Sequence, residues 1–100
     1  ALGEQVYLEQ CATCHMPDGS GHSTEMPNAP ALNGSEHTWH HSDGDLYRII
    51  SDGLISMPSF ETELSHEERI AVIRYFQSWW PADLLKTQQN ASQQNPMPNP

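Results

Sequence analysis

The sequence predicts an all-α domain of three main helices. Two observations carry that prediction. Stretches opening near Leu2, Ser42 and Ser65 each repeat apolar residues at helical period. No strand-type alternation flanks the one cysteine pair, Cys11 and Cys14. The first and last of these helices are expected to cross.

The first helix spans Leu2 to about Gln10. Gly3, Tyr7 and Cys11 recur every four residues with Val6 beside them, giving one apolar face. Gly3 lowers helix propensity, so the reading is a close approach by another helix where no side chain fits. The second helix spans Ser42 to Asp52. Ser42 caps it, Asp45 follows three residues on, Gly53 ends it, and Leu46, Ile49 and Ile50 form its buried face. The third opens on the capping box Ser65-His66-Glu67-Glu68 and runs to about Trp80, where Pro81 stops it. Its apolar face is Val72, Ile73, Phe76, Trp79 and Trp80, with Arg69, Arg74 and Gln77 outside it and His66 on the surface. That face fits the Gly3/Tyr7 face, with Tyr75 near the crossing.

Cys11-Ala12-Thr13-Cys14-His15 is the pattern of c-type haem attachment. One helical turn brings both thiols to one porphyrin edge, where each can add to a vinyl group, and the next residue aims its imidazole at the iron. A thioredoxin-like pair needs a βαβ surrounding. A structural zinc site needs four ligands, and the chain has no second cysteine pair. Recruiting His37 with His40 or His41 would span 22 residues from Cys14 and leave His15 unexplained. The haem reading takes the lead, with one covalent haem c through Cys11 and Cys14.

Residues 16–42 form a long loop rich in Pro, Gly, Ser and Asn, which a compact domain tolerates when the loop wraps something. An axial histidine usually donates its second nitrogen to a carbonyl, and Pro30 is the candidate acceptor. Leu32 would pack on the ring. The competing reading is an ordinary Pro/Gly turn. His37, His40 and His41 have a spacing that zinc or copper could use, but loop composition favours exposed histidines. A buried Trp39 indole needs an acceptor. A haem propionate would serve, and Arg48 is an alternative as counter-ion to that propionate.

The iron needs a sixth ligand, and a methionine thioether raises the potential into an electron-carrier range. All four methionines precede proline, so position decides. Met16 adjoins His15, Met26 lies in the loop assigned to the histidine side, and Met97 is in the tail. Met57 sits in the apolar stretch Leu54-Ile55-Ser56-Met57-Pro58-Ser59-Phe60 between two helices, with Phe60 to exclude water. Met57 is therefore the candidate ligand beside His15.

The formal charge is −9, and the whole excess falls on residues 1–81, since residues 82–100 hold only Asp83 and Lys86. Nucleic acid and anionic membranes are unfavourable partners for such a chain. A redox protein with a basic docking patch suits it, because complementary charge accelerates encounter; the acidity otherwise serves solubility alone. No stretch is apolar enough to span a bilayer. No signal peptide is visible, so Ala1 reads as a processed or trimmed start. The motif class implies a periplasmic or exported protein. Residues 82–100 are polar and rich in Gln, Asn and Pro, so the domain is expected to occupy 1–81, followed by a disordered tail or linker.

The chain resembles the class I c-type cytochromes, especially the small bacterial monohaem members. The resemblance covers residues 3 to about 80. It rests on Gly3 and Tyr7, the Cys11–His15 motif, Pro30-Ala-Leu32-x-Gly34 and Asp45-Leu46 through Asp52-Gly53. Met57-Pro58-x-Phe60 and the Leu64-Ser65 start of a helix carrying Tyr75 complete it. It implies the cytochrome c fold, crossed terminal helices, a low-spin His15/Met57 haem and Pro30 as acceptor for the histidine. The lysine-rich face of mitochondrial members is missing. The tyrosine that often hydrogen-bonds the methionine sulfur has no clear counterpart, Tyr47 being the residue with reach.

The expected function is single-electron transfer by a monomer that is not itself an enzyme, either a soluble carrier or the electron-input domain of a larger redox protein. The alternative is a small-ligand sensor or peroxidase-like enzyme with an open sixth position. Leu, Ile, Val and Phe make up only 17 of 100 residues, too few to offset the entropy of ordering by themselves. Burying several hundred Å² of porphyrin at about 25 cal/mol per Å² would add on the order of 10 kcal/mol. The haem-free chain is therefore expected to be unfolded by circular dichroism; a native-like helical spectrum would contradict this.

Overall fold

A computed structural model describes residues 1–54 and 56–98. These residues form five α-helices and no strand. Helix α1, Leu2–Val6, runs into a π-helical turn, Tyr7–Cys11, and then α2, Ala12–His15. A 3₁₀ turn, Thr38–His40, precedes α3, Asp43–Asp52; α4 is His66–Gln77 and α5 is Ala82–Ser92.

The caps lie where the sequence placed them. Ser42 Oγ accepts from the Asp45 amide at the start of α3 (3.2 Å), and Gly53 closes that helix. Ser65 and Glu68 bond reciprocally at the start of α4. Residues Ser78 to Trp80 continue α4 as tight i→i+3 turns before Pro81.

Helices α1 and α4 cross, and Gly3 is what permits their contact. A Cβ there would lie 2.3 Å from the Ala71 carbonyl oxygen and 2.8 Å from Tyr75 Cβ. Tyr7, fully buried, meets Tyr75 and Trp79 at ring-centroid distances of 5.6 and 5.2 Å. Val6, Leu46, Ile50, Leu64, Val72, Ile73, Phe76 and Trp80 complete the core.

Three expectations are corrected. The first helix does not end near Gln10; it continues to His15 through a π turn, in which the Ala12 amide bonds the Tyr7 carbonyl. Gln77, placed outside the apolar face of α4, is nonetheless buried. Residues from 82 onward are not an unstructured tail: α5 folds back on the domain, and Met97 packs against the core. Asn99 and Pro100, part of the predicted tail, lie outside the described residues.

The physical reason for the last two corrections is one buried polar network. Asp43 Oδ1 accepts from Gln77 Nε2 (2.7 Å) and Gln88 Nε2 (2.8 Å), while Oδ2 lies 3.0 Å from Arg74 Nη1. Gln88, with no exposed surface, also donates to the His41 carbonyl (3.0 Å). Ser92 Oγ accepts from the Asp43 amide (2.9 Å), and the Gly44 amide donates to the Asn95 carbonyl (2.8 Å). A low-apolar segment docks because it satisfies a buried carboxylate and the first amides of α3. Gln88→Ala leaves Asp43 buried with one donor fewer, and should lower holoprotein stability by about 1–3 kcal/mol in denaturant titration.

Candidate functional site

The π turn determines how Cys11, Cys14 and His15 are presented. Its wider i→i+5 bond interrupts the α-helical register just before the motif, a common placement for such turns. Tyr7 anchors the far end: its hydroxyl donates to the Met16 carbonyl at 2.7 Å, with the His15 carbonyl at 3.4 Å. Burial raises the Tyr7 pKa, with Cys11 and Asp18 adding to the effect, so the hydroxyl keeps the proton it donates.

Cys11 and Cys14 are free, half-buried thiols. Burial, and then the neighbouring Cys14, push the Cys11 thiol up to about 11. His15 is 7% exposed. Its Nδ1 donates to the Pro30 carbonyl oxygen at 2.8 Å, and among the described residues its Nε2 makes no hydrogen bond. Burial lowers the His15 pKa against the opposing effect of that bond, favouring a neutral ring with its lone pair on Nε2.

Pro30 is held by the loop around it. The Gly21 amide donates to the His15 carbonyl (2.9 Å), the His22 amide to Ala29 (2.7 Å) and the Leu32 amide to Gly19 (2.7 Å). Thr38 Oγ1 donates to the Ala31 carbonyl (2.7 Å), and Trp80 Nε1 to the Leu32 carbonyl (2.8 Å). Leu32 is half-buried against the core. His22 completes the enclosure in a way the sequence reading missed. Its Nδ1 faces the Pro27 carbonyl and its Nε2 faces Glu36 Oε2, each at 2.7 Å, while Glu36 Oε1 accepts from the Ala31 amide at 3.0 Å. Both ring nitrogens face acceptors, so both bonds form only when His22 is protonated.

Met57 lies on a tight turn whose ends are the paired amides and carbonyls of Leu54 and Met57 (3.1 and 2.8 Å). Gly53 underlies it at φ +81°; a Cβ there would sit 2.6 Å from the Met57 carbonyl oxygen. Met57 and Phe60 are half-buried against the core. The Phe60 amide donates to Ile50 (3.0 Å), and Ser59 Oγ to the Ser51 carbonyl (2.6 Å). Ile55, in the same sequence stretch, lies outside the described residues.

The remaining expectations fare differently. Trp39 is half-buried and stacks on His40 at a centroid distance of 3.8 Å. Arg48 is exposed and ion-paired with Asp45, one turn back on α3. His37, His40 and His41 are exposed, and the described residues hold no group of three His, Cys, Asp or Glu side chains placed for a metal ion. Tyr47 does not serve the methionine: its hydroxyl lies 2.6 Å from His66 Nδ1 and accepts from Arg69 Nη1 at 3.3 Å. His66 is accordingly half-buried rather than on the open surface.

Crossed helices, a CxxCH turn and a histidine braced by a loop carbonyl together define a c-type cytochrome. The chain belongs to the family described as cytochrome c oxidase, cbb3-type, subunit III, whose family model matches residues 1–76. The cytochrome c subunit of alcohol dehydrogenase (quinone) from Gluconobacter oxydans (strain 621H) is 28% identical over 89 residues, covering 78% of this chain and 18% of that protein. The chain thus spans about a fifth of the length of that relative. Among solved structures, the c-type cytochrome KustC0563 superposes with a TM-score of 0.67 at 26% identity, covering 79% of this chain and 98% of that one. Cytochrome cL from Hyphomicrobium denitrificans superposes with a TM-score of 0.71 at 24% identity, covering 99% of this chain and 58% of that one. The fold is that of cytochrome c, and the domain is an electron-transfer unit whose family carries covalently bound haem c. The donors present fit that group: two free thiols in CxxCH spacing and a buried imidazole with one nitrogen already bonded.

The His22–Glu36 clasp gives a pH prediction. The bond to the Pro27 carbonyl, and then Glu36, raises the His22 pKa above 6.5. The Ala31 amide, and then His22, lower that of Glu36 below 4.5. His22's contribution is complete below pH 6.5 and lost as pH rises through its raised value. Glu36's contribution is present above pH 4.5 and lost as pH falls through its depressed value. The hydrogen-exchange protection factor of the Ala31 amide should therefore drop several-fold from about pH 6 to about pH 9, and His22→Gln should flatten that profile.

Proposed function

We propose that Cys11 and Cys14 hold one haem c by thioethers, that His15 and Met57 are its axial ligands, and that the domain passes single electrons without acting on a substrate. The observation that carries this reading is the His15–Pro30 hydrogen bond inside a CxxCH turn. It fixes the imidazole plane, keeps Nδ1 as the donor and leaves Nε2 to bind metal. When bound, the haem iron supplies a one-electron couple.

Every other role falls to the chain. Buried His15 stays neutral and cannot be drawn off by protonation near neutral pH. The Gly53-backed turn presents the Met57 thioether, a ligand that favours the reduced state. Phe60, three residues after Met57, and Leu32, in the loop that braces His15, are half-buried against the core and would exclude water and lower the local dielectric. Trp39 lies in the 3₁₀ turn and Arg48 on α3, where a propionate would find an indole N–H and a guanidinium.

The domain is an electron-input unit of a larger redox protein working outside the cytoplasmic membrane. The length ratio to the Gluconobacter relative supports that reading, as does that relative's naming as the cytochrome c subunit of a quinone alcohol dehydrogenase. Its partner carries a basic docking patch. The chain bears a charge of −9, and three of its four cations are engaged internally: Arg48 by Asp45, Arg74 by Asp43 and Arg69 by loop carbonyls. The field that an approaching protein meets is therefore acidic. No helix among the described residues is long and apolar enough to cross a membrane.

Absorption spectra of oxidised and dithionite-reduced protein, followed by carbon monoxide, test the ligand set. Sharp low-spin reduced bands, a weak red iron–sulfur band when oxidised and no carbon monoxide response are expected. Met57→Ala should keep the covalent haem, lower the potential by on the order of 0.1 V within the ~0.8 V that axial ligands span, and bind carbon monoxide. An unchanged potential with no carbon monoxide binding would sink Met57 as ligand and favour another sulfur or nitrogen donor.

A further inference from the structure

Arg69 is half-buried, and its partners among the described residues include no carboxylate. Its Nε donates to the Leu64 carbonyl (3.1 Å) and its Nη2 to the Glu61 carbonyl (2.7 Å). Its Nη1 donates to Ser51 Oγ (3.1 Å) and to the Tyr47 hydroxyl (3.3 Å), and its Cζ lies 5.7 Å from the Tyr47 ring centroid. No acidic oxygen among the described residues lies within ion-pair distance of it.

These four acceptors come from two places. Glu61 and Leu64 belong to the connector that follows Met57; Tyr47 and Ser51 belong to α3, which precedes it. Ser51 is also the residue whose carbonyl takes the Ser59 hydroxyl proton (2.6 Å), two residues after Met57. The Leu64 amide in turn donates to the Phe60 carbonyl (3.0 Å). One planar fork thus ties the outgoing half of the 53–64 segment to the helix that launches its incoming half.

We infer that Arg69 is a positioning residue that holds the Met57 turn closed and so sets how often the sixth coordination position opens. The inference rests on Met57 being the axial ligand. The guanidinium does not touch the thioether; it acts through the Glu61 and Leu64 carbonyls and the Ser51–Ser59 bond. Tyr47, the tyrosine with reach toward the methionine where the family's own has no clear counterpart, instead serves as one post of this anchor, with His66 at its other side.

The test compares holoproteins of the wild type, Arg69→Lys and Arg69→Gln. The readouts are carbon monoxide association to the reduced protein, the red iron–sulfur band of the oxidised protein, and the reduction potential. The lysine variant keeps the charge and loses the fork, whereas the glutamine variant loses both. Expected is a carbon monoxide association rate about 10- to 100-fold faster in both variants, with the red band lost at lower temperature and pH than in wild type. Carbon monoxide rates equal to wild type in both variants would overturn the inference. So would a shifted potential in the glutamine variant with a lysine variant like wild type, since that pattern belongs to charge alone. A wild type that lacks the red band and binds carbon monoxide freely would sink the Met57 ligand itself, and that outcome is visible before any variant is made. Should the glutamine variant not fold, Tyr47→Phe with Ser51→Ala removes the α3 posts while leaving Arg69 in place, and the same acceleration is expected.

Discussion

The His15–Pro30 hydrogen bond requires that residue 30 stand opposite a ring fifteen positions earlier, at the end of a loop with no regular secondary structure. Backbone amides of Gly21, His22 and Leu32 tie the loop to itself and to the helix end. Thr38 and Trp80 then bind it to the 3₁₀ turn and to the end of α4. The Trp80 bond extends that support, because Trp80 is a core residue on the helix that Gly3 lets α1 approach. The helix crossing and the histidine brace are therefore one mechanical unit. An error at either would be felt at the other.

The Met57 segment is built by different means. There the segment is short, and Arg69, the Ser59 hydroxyl and the Phe60 amide tie it to α3. The two anchors respond differently to conditions. An arginine guanidinium keeps its charge wherever proteins stay folded, whereas the His22 clasp depends on a ring whose pKa the Pro27 carbonyl, and then Glu36, raise above 6.5. Raising the pH thus loosens the loop that orients the proposed axial histidine and leaves the Met57 turn held.

What could be read in the sequence was local. Both Ser caps, the Gly53 stop, the CxxCH turn and the apolar face of α4 are short-range patterns whose physics is complete within a few residues. The need for a small residue at Gly3 was legible because a helix tolerates glycine only for a reason. The π turn was not, since an i→i+5 bond replaces an i→i+4 bond for reasons set by packing rather than composition. Helix α5 was missed for a sharper reason. Disorder was inferred from lack of apolar content, but Gln88, Ser92 and Asn95 dock through hydrogen bonds to Asp43, Ser42 and Gly44. The available signal was an aspartate in the first turn of α3 with more than a helix end to satisfy.

That polar docking changes how the charge of the chain should be understood. Asp43, although counted in the net −9, is 3% exposed and neutralised in place by Arg74 and two glutamine amides. Arg48 and Asp45 cancel on the surface in the same manner. The acidic field that remains comes from exposed carboxylates that form no ion pair among the described residues, such as Glu61, Glu63 and Glu67, which follow Met57 in the chain. Arg69, the cation closest to them in the chain, has its donors turned inward to carbonyls and hydroxyls, so it offsets their charge without offering a hydrogen-bond donor to a visiting carboxylate. The same residue that holds the turn thus leaves its rim acidic. A basic partner approaching that rim would be steered by the carboxylates and meet no competing donor from Arg69.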